Sequence, residues 1–386
     1  MDRETVLDSI SKVQNNVNLK EGTHGLLKFI AVLDRFPSSP MQFVAQKIGL
    51  PVPICVAIRN EFEKIGWCKR EKKGAILTDK GEEVITLLSK INTDFSCQNC
   101  TNAGLSFNLD DFAEYLSILE KYSELRGQPN TIIDQSYATP QTSLRRALLM
   151  THNFDLLFDK YAFIGDSDLT SIALALLTPR DVKIVVFDID EKVQEIINQA
   201  NQDLALQIQF IEHDLREPIP EKYLDYFDCF LTDPPYTQYG LRLFVSRGLQ
   251  LLSKKKNGIL YLSFGTKPPK EMLAIQKDLT DMGCLITEII PGFNEYVGAQ
   301  KLGGISTIYR ILVGTNSSPL ISDSYKGSLY TGDLNPIIRT YVCMDCKTEY
   351  LVGKKQTFST IERLKNTGCT KCNSTKFQKK SEKKME

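Results

Sequence analysis

The 386-residue chain is predicted to be an α/β protein, a doubly wound and mostly parallel sheet with a helical module before it and a cysteine-rich module after it. Two observations carry this. From Lys160 to about Leu312, short apolar runs alternate with amphipathic stretches of helical length, as strand–helix–strand units require. Beyond them, Cys343-Met-Asp-Cys346 and Cys369-Thr-Lys-Cys372 set two thiol pairs at the spacing of a structural zinc ribbon.

The elements follow in chain order. In residues 1–95, apolar periodicity marks helices at His24–Phe36, Pro40–Ile48 and Pro53–Ile65, then two strands between Trp67 and Gly81 turning at Lys73-Gly74, and a helix at Glu82–Lys90. Three helices and a hairpin with a basic tip resemble a winged helix-turn-helix. Arg59, Lys64, Lys69, Arg70 and Lys72 would serve DNA, but Glu61, Glu63 and Glu71 interrupt them, which favours dimerisation or active-site cover. Residues 96–158 are a linker opened by Cys97-Gln-Asn-Cys100, with a helix from Leu109 to Arg126, a turn at Gly127-Gln-Pro129-Asn130 and a helix over Ser143–Asn153. Residues 159–318 form a Rossmann-like core of strands Tyr161–Ile164, Lys183–Phe187, Ile208–Glu212, Phe227–Leu231, Gly258–Ser263 and Leu285–Ile290, with Ile305–Val313 as an edge partner. Helices Glu191–Asn201, Tyr239–Leu252 and Glu271–Met282 fill the gaps. Residues 319–378 are the ribbon, and the charged run 379–386 is expected to be a disordered tail.

Lys plus Arg and Asp plus Glu both number 47, so no net field draws in nucleic acid or an acidic membrane. No apolar run approaches the ~20 residues that span a bilayer, and Met1-Asp-Arg-Glu lacks a secretory pattern. Six of ten cysteines lie in C-x-x-C pairs, which suits a reducing compartment, so the expectation is cytoplasmic, with no membrane partner. Cys229 and Cys284 read as buried sheet residues and His24 and His152 as structural, while His213 neighbours the cleft. Cys97 and Cys100 cannot complete a metal site alone; a second subunit, Cys55 or Cys68 would have to contribute.

Ligands of such sheets sit beyond the strand carboxyl ends. Those ends carry Gly165-Asp166-Ser167-Asp168, Asp188-Ile-Asp190, His213-Asp214 and Asp233-Pro234-Pro235-Tyr236. Where a dinucleotide fold offers bare N–H groups to phosphate, this first turn offers fixed negative charge, which selects a cation. Asp188, about 20 residues on, is placed for ribose hydroxyls, and Asp214 for an adenine amino group. One acid at a strand end is commonly a helix cap; four acidic ends in register argue instead for an S-adenosyl-type ligand without phosphate. Asp233-Pro-Pro-Tyr236 adds a carboxylate and constrained carbonyls for a nucleophilic nitrogen, and an aromatic face, as in class I methyltransferase-like enzymes acting on amino groups.

With Cys97-Gln-Asn-Cys100, Asp134-Gln-Ser-Tyr137-Ala-Thr-Pro140, Phe187-Asp-Ile-Asp190-Glu and Phe293-Asn-Glu-Tyr296-Val297 in the same order, the chain resembles the branched-chain polyamine synthases, the N4-bis(aminopropyl)spermidine synthase family. The resemblance implies aminopropyl transfer from decarboxylated S-adenosylmethionine, a co-substrate, to the secondary amine of spermidine, releasing methylthioadenosine, and a homodimer. Donor and acceptor are both cationic, which suits Asp166, Asp168, Asp190 and Asp233. The attacking amine, with pKa near ~10, costs on the order of 4 kcal/mol to deprotonate at pH 7, so one carboxylate must take its proton; Asp166, Asp168 and Asp233 are the candidates. Glu295 would hold a distal ammonium, Tyr296 would pack on methylenes, and Asp134 with Tyr137 would close the cleft. The family's turn has three acids after the glycine, and here Ser167 stands in the middle. Two other readings remain at this point: an S-adenosylmethionine-dependent amino methyltransferase on nucleic acid, and a polyamine-responsive DNA-binding regulator.

Overall fold

The computed structural model describes residues 2–19, 22–72, 74–100, 104–129, 135–297, 304–330, 337–353, 356–358 and 360–384. The first module contains α1 (Arg3–Val17), α2 (Thr23–Arg35), α3 (Met41–Ile48), α4 (Val52–Lys64), the hairpin β1 (Cys68–Glu71) and β2 (Gly74–Leu77), and α5 (Asp79–Leu88). The helix α1 was not anticipated, although Val6, Ile10 and Val13 recur on one face and Asp2 caps its first turn. These residues join Phe29, Phe62 and Trp67 in one core. Cys55 and Cys68 are buried in that same core, so neither is a partner for Cys97 and Cys100. Successive helices α3 and α4 are bent by 106°, and no single helix among the described residues is long and apolar enough to cross a membrane.

A 3-10 turn at Leu109–Phe112 leads into α6 (Ala113–Glu124), followed by α7 (Pro140–His152), which starts with Pro at its first position and Thr139 as cap. Then come β3 (Lys160–Ile164), α8 (Thr170–Leu177), β4 (Lys183–Asp188), α9 (Glu191–Leu204), β5 (Ile208–Glu212), β6 (Cys229–Thr232), α10 (Gln238–Leu251), β7 (Gly258–Phe264), α11 (Pro269–Asp281), β8 (Cys284–Glu295) and β9 (Ile305–Val313). The seven strands lie in the order β5-β4-β3-β6-β7-β9-β8, with β9 antiparallel to both neighbours. This is the methyltransferase-like Rossmann arrangement. Order reverses between β3 and β6, so the cleft opens where their carboxyl ends diverge. Helices α6 to α9 cover one face, and α10 and α11 the other.

The first module is fastened to the core by a buried charge. Asp155, fully buried, accepts from Arg310 at 2.6 and 2.9 Å, from the Tyr261 hydroxyl at 2.7 Å, and pairs with His24 of α2 at 3.1 Å. Arg310 and Lys28 hold the Asp155 carboxyl far below its ordinary range against the cost of burial. Burial pushes His24 down to about 4, so the imidazole is neutral at pH 7.

The last module is a three-stranded sheet of β10 (Ile337–Cys343), β11 (Glu349–Val352) and β12 (Phe377–Lys384), with α12 (Ile361–Thr367). The charged run expected to be disordered is therefore strand through Lys384, paired with β10 along its length. Its charges are met by ion pairs such as Lys379–Glu382 at 2.6 Å and Lys380–Glu349.

Candidate active site

The turn between β3 and α8 is shaped by two left-handed residues, Gly165 (φ +73°) and Leu169 (φ +59°). Glycine takes that conformation at no steric cost. Asp166 is buried, and its carboxylate accepts from the Ser171 N–H at 3.2 and 3.3 Å. The Asp166 N–H donates to Asp188 at 2.8 Å. Burial pushes the Asp166 carboxyl well above its ordinary range, with Asp168 and Asp188 adding to it. Asp188 is raised as well, chiefly by burial. The side chain of Ser167 is partly exposed, while its carbonyl accepts from Arg126 at 3.3 Å.

Arg146, on α7, is fully buried and joins the acids of two strand ends. Nη1 donates to Asp168 Oδ2 at 2.6 Å and Nη2 to Asp233 Oδ2 at 2.8 Å, while Nε donates to Asn294 Oδ1 at 2.8 Å. The other oxygen of Asp168 accepts from the Ala138 N–H at 2.7 Å, so both of its oxygens are committed. The hydroxyl of Tyr296 donates to Asp233 at 2.5 Å, and Tyr236 donates to Tyr296 at 2.9 Å. Asn294 is braced in turn by Ser263 and Ser306. Asp168 and Asp233 thus share one guanidinium. Burial and the neighbouring Asp168 push Asp233 up to about 7, against the opposing pull of Arg146 and Tyr296.

The remaining expected residues divide. Asp190 does cap α9, accepting from the Lys192 N–H at 2.9 Å, and its other oxygen accepts from Gln135 at 3.0 Å. Asp214 accepts from the Arg216 N–H at 2.9 Å. The Pro235 carbonyl, a candidate for orienting a ligand nitrogen, accepts from the Thr237 N–H at 2.7 Å at the entry to α10. Pro234 is buried. Tyr236 lies against Gly265, where a Cβ would stand 2.6 Å from its ring. Tyr296 turns its hydroxyl to Asp233, and its ring meets that of Tyr236 edge-on. Glu295 is exposed and pairs with Arg145 at 3.3 Å. Tyr137 stacks under Arg126 at 4.6 Å, and the Val297 N–H donates to its carbonyl at 2.8 Å, tying the approach to α7 to the exit of β8; Asp134 lies outside the described residues. Sequence reasoning missed Arg146, Arg126, Asn294 and Ser306. The acids at the cleft, Asp166, Asp168, Asp188, Asp190 and Asp233, outnumber the two guanidiniums, which are themselves occupied.

In the last module the thiols of Cys343, Cys346, Cys369 and Cys372 lie within 4.8 Å of one another, with Cys343–Cys372 at 3.5 Å and Cys346–Cys369 at 3.3 Å. A tetrahedron of 2.3 Å metal–sulfur bonds implies sulfurs roughly 3.8 Å apart, so the donor set fits a four-thiolate ion.

Comparison with known proteins completes the description. Residues 116–332 match the branched-chain polyamine synthase A C-terminal domain. The chain is 34% identical over 251 residues to the N(4)-bis(aminopropyl)spermidine synthase of Thermococcus kodakarensis, covering 64% of this chain and 71% of that one. An uncharacterised protein of Methanocaldococcus jannaschii is 38% identical over 96% of this chain and 92% of its own. Among solved structures, the branched-chain polyamine synthase of Thermus thermophilus, bound to N4-aminopropylspermidine and 5'-methylthioadenosine, superposes with a TM-score of 0.52 at 22% identity, over 86% of this chain and 99% of that one.

Proposed function

We infer the activity from one premise: the chain belongs to the branched-chain polyamine synthase family. It is a polyamine aminopropyltransferase, moving the aminopropyl group of decarboxylated S-adenosylmethionine onto the secondary amine of spermidine to give branched polyamine. The observation that carries this is the excess of carboxylate at the ends of β3, β4 and β6, with the nearby guanidiniums already engaged. A sulfonium and a chain of ammoniums are the ligands such a cleft stabilises.

The acceptor nitrogen attacks the carbon next to sulfur, the carbon–sulfur bond breaks, its electron pair stays on sulfur, and methylthioadenosine leaves without needing an acid. The nitrogen must shed a proton. Asp233 is our choice of base: raised to about 7, it is divided between its two forms at neutral pH, where a base is most effective. Asp168, with both oxygens committed, fixes Arg146 rather than reacting. Burial raises both Asp166 and Asp188, and a bound cation opposes that shift; we assign Asp166 to the donor's sulfonium side and Asp188 to its ribose. We assign Asp214 to the adenine, and Asp190 and the exposed Glu295 to outer ammoniums.

We read the four-thiolate cluster as a structural zinc site held by Cys343, Cys346, Cys369 and Cys372, and the first module as a winged helix, supported by the 106° bend between α3 and α4 and the hairpin that follows. Arg70 and Lys64, expected on a DNA face, pair with Glu63 and Glu61, which supports cover or assembly over DNA binding. We place the protein in the cytoplasm. Mass spectrometry of products from a mixed polyamine pool tests the assignment. Methylthioadenosine and a polyamine heavier by one or more aminopropyl units support it; adenosylhomocysteine from the intact donor, with a methylated product, refutes it.

A further inference from the structure

Cys97 and Cys100 take no part in the cleft or in the four-thiolate cluster, yet their backbone is arranged like that cluster's turns. In the last module each C-x-x-C turn closes in the same way: the N–H of the first cysteine donates across the turn, from Cys343 to the Thr348 carbonyl and from Cys369 to the Ser374 carbonyl, both at 2.8 Å. The N–H of Cys97 likewise donates across its turn, two residues longer, to the Gly104 carbonyl at 2.8 Å. The ribbon continues below it, with Ser96 bridged to Leu105 and the Ser106 N–H donating to the Phe95 carbonyl at 2.9 Å.

The thiols themselves are prepared for a cation. The Gly104 N–H donates to Cys100 Sγ at 3.2 Å, a bond that disperses thiolate charge as outer-shell donors do around a metal. A Cβ on Gly104 would stand 3.3 Å from that sulfur, so glycine permits the close approach. Cys100 Sγ donates to the Cys97 carbonyl at 3.6 Å, which folds the second thiol back over the turn toward the first. Cys97 is part-exposed and Cys100 exposed, and among the described residues the four-thiolate cluster is the one group that draws three or more ligand atoms together. Two thiolates leave a zinc-like ion half coordinated, whereas a closed structural site takes four. A two-fold axis through the ion would supply the missing pair from the same patch of a second copy, reproducing between chains what the last module assembles within one.

We propose that Cys97 and Cys100 form half of a four-thiolate zinc site completed by the same two residues of a second copy, so that one ion bridges a homodimer.

The test is metal content of the full-length protein, purified without chelator, together with native mass spectrometry. With a zinc ion in each last module and one shared, the expected content is about 1.5 zinc per chain, three ions in a dimer. The Cys97→Ser/Cys100→Ser variant is expected at about 1.0 per chain, with the dimer weakened. The Cys343→Ser/Cys369→Ser variant serves as the control, keeping about 0.5 per chain. Cobalt substitution gives a second reading, the thiolate charge-transfer band falling by about a third in the first variant. The proposal is overturned by equal zinc in wild type and Cys97→Ser/Cys100→Ser, by two ions per chain, or by a wild-type mass about 2 Da low that marks a Cys97–Cys100 disulfide in place of metal.

Discussion

Arg146 Nη2 stands 2.8 Å from Asp233 Oδ2, and the same guanidinium holds Asp168 at 2.6 Å. Two carboxylates therefore divide one buried positive charge. Like charges in such a site resist ionising together, and burial together with the neighbouring Asp168 pushes Asp233 up to about 7.

The rate of the chemical step should follow Asp233. The folded carboxyl titrates near 7, so the base form is lost as pH falls below that value, and single-turnover rates should drop toward tenfold per pH unit there and level off above it. Tyr296 lowers the Asp233 value through its hydrogen bond. Tyr296→Phe should therefore move the limb to higher pH by roughly one unit, with little change in the alkaline plateau. A limb that stays in place would assign it to another group.

Ser167 is the position where the family turn was expected to carry a third acid. With Asp233 as base, Ser167→Asp should leave the single-turnover rate within about threefold while tightening polyamine binding, because a base typically contributes 10²–10⁴-fold. A gain of ~100-fold would show that the missing carboxylate was the proton acceptor.

The Asp155 contact should matter to stability at neutral pH and not in strong acid. Its folded value lies far below the ordinary 3.8, so the stabilisation is present above about pH 4 and fades as pH falls toward the folded value. Asp155→Asn should cost about 3–5 kcal/mol at pH 7, read by denaturant unfolding, and the variant's stability should depend less on pH below 4. Equal losses at pH 7 and in strong acid would contradict this account of the contact.

The zinc proposed for the last module is assigned no chemistry. Cys343→Ser should expose residues 337–384 to proteolysis yet leave aminopropyl transfer within about threefold, since a closed four-sulfur site keeps no position open for substrate. Loss of transfer with an intact core would give the module a part in the reaction.

The sheet was legible because its strands are short apolar runs with punctuation between them; Ile305–Val313 matches the observed β9 to the residue. The acids at the strand ends were legible for the same reason, since Asp166, Asp188, Asp214 and Asp233 each lie one or two residues past such a run. Arg146 was not. It sits in Leu144-Arg-Arg-Ala147 beside an equally charged Arg145, and its partners lie 22 and 87 residues away, beyond any local spacing rule. The terminal strand was hidden differently. Gln378-Lys-Lys-Ser-Glu-Lys-Lys384 has no apolar alternation, and β10 pairs it through backbone. Asp190 caps α9 and Asp214 accepts from the N–H two residues on, so the bland explanation of a strand-end acid, satisfaction of local backbone, holds for both.

The central claim is that the cleft selects positive charge, and binding of the two adenosyl donors tests it most directly. Isothermal titration with decarboxylated and intact S-adenosylmethionine should show the decarboxylated donor bound more tightly, on the order of 100-fold, because the extra carboxylate of the intact donor meets fixed aspartates. Equal affinities, or a preference for the intact donor, would contradict it.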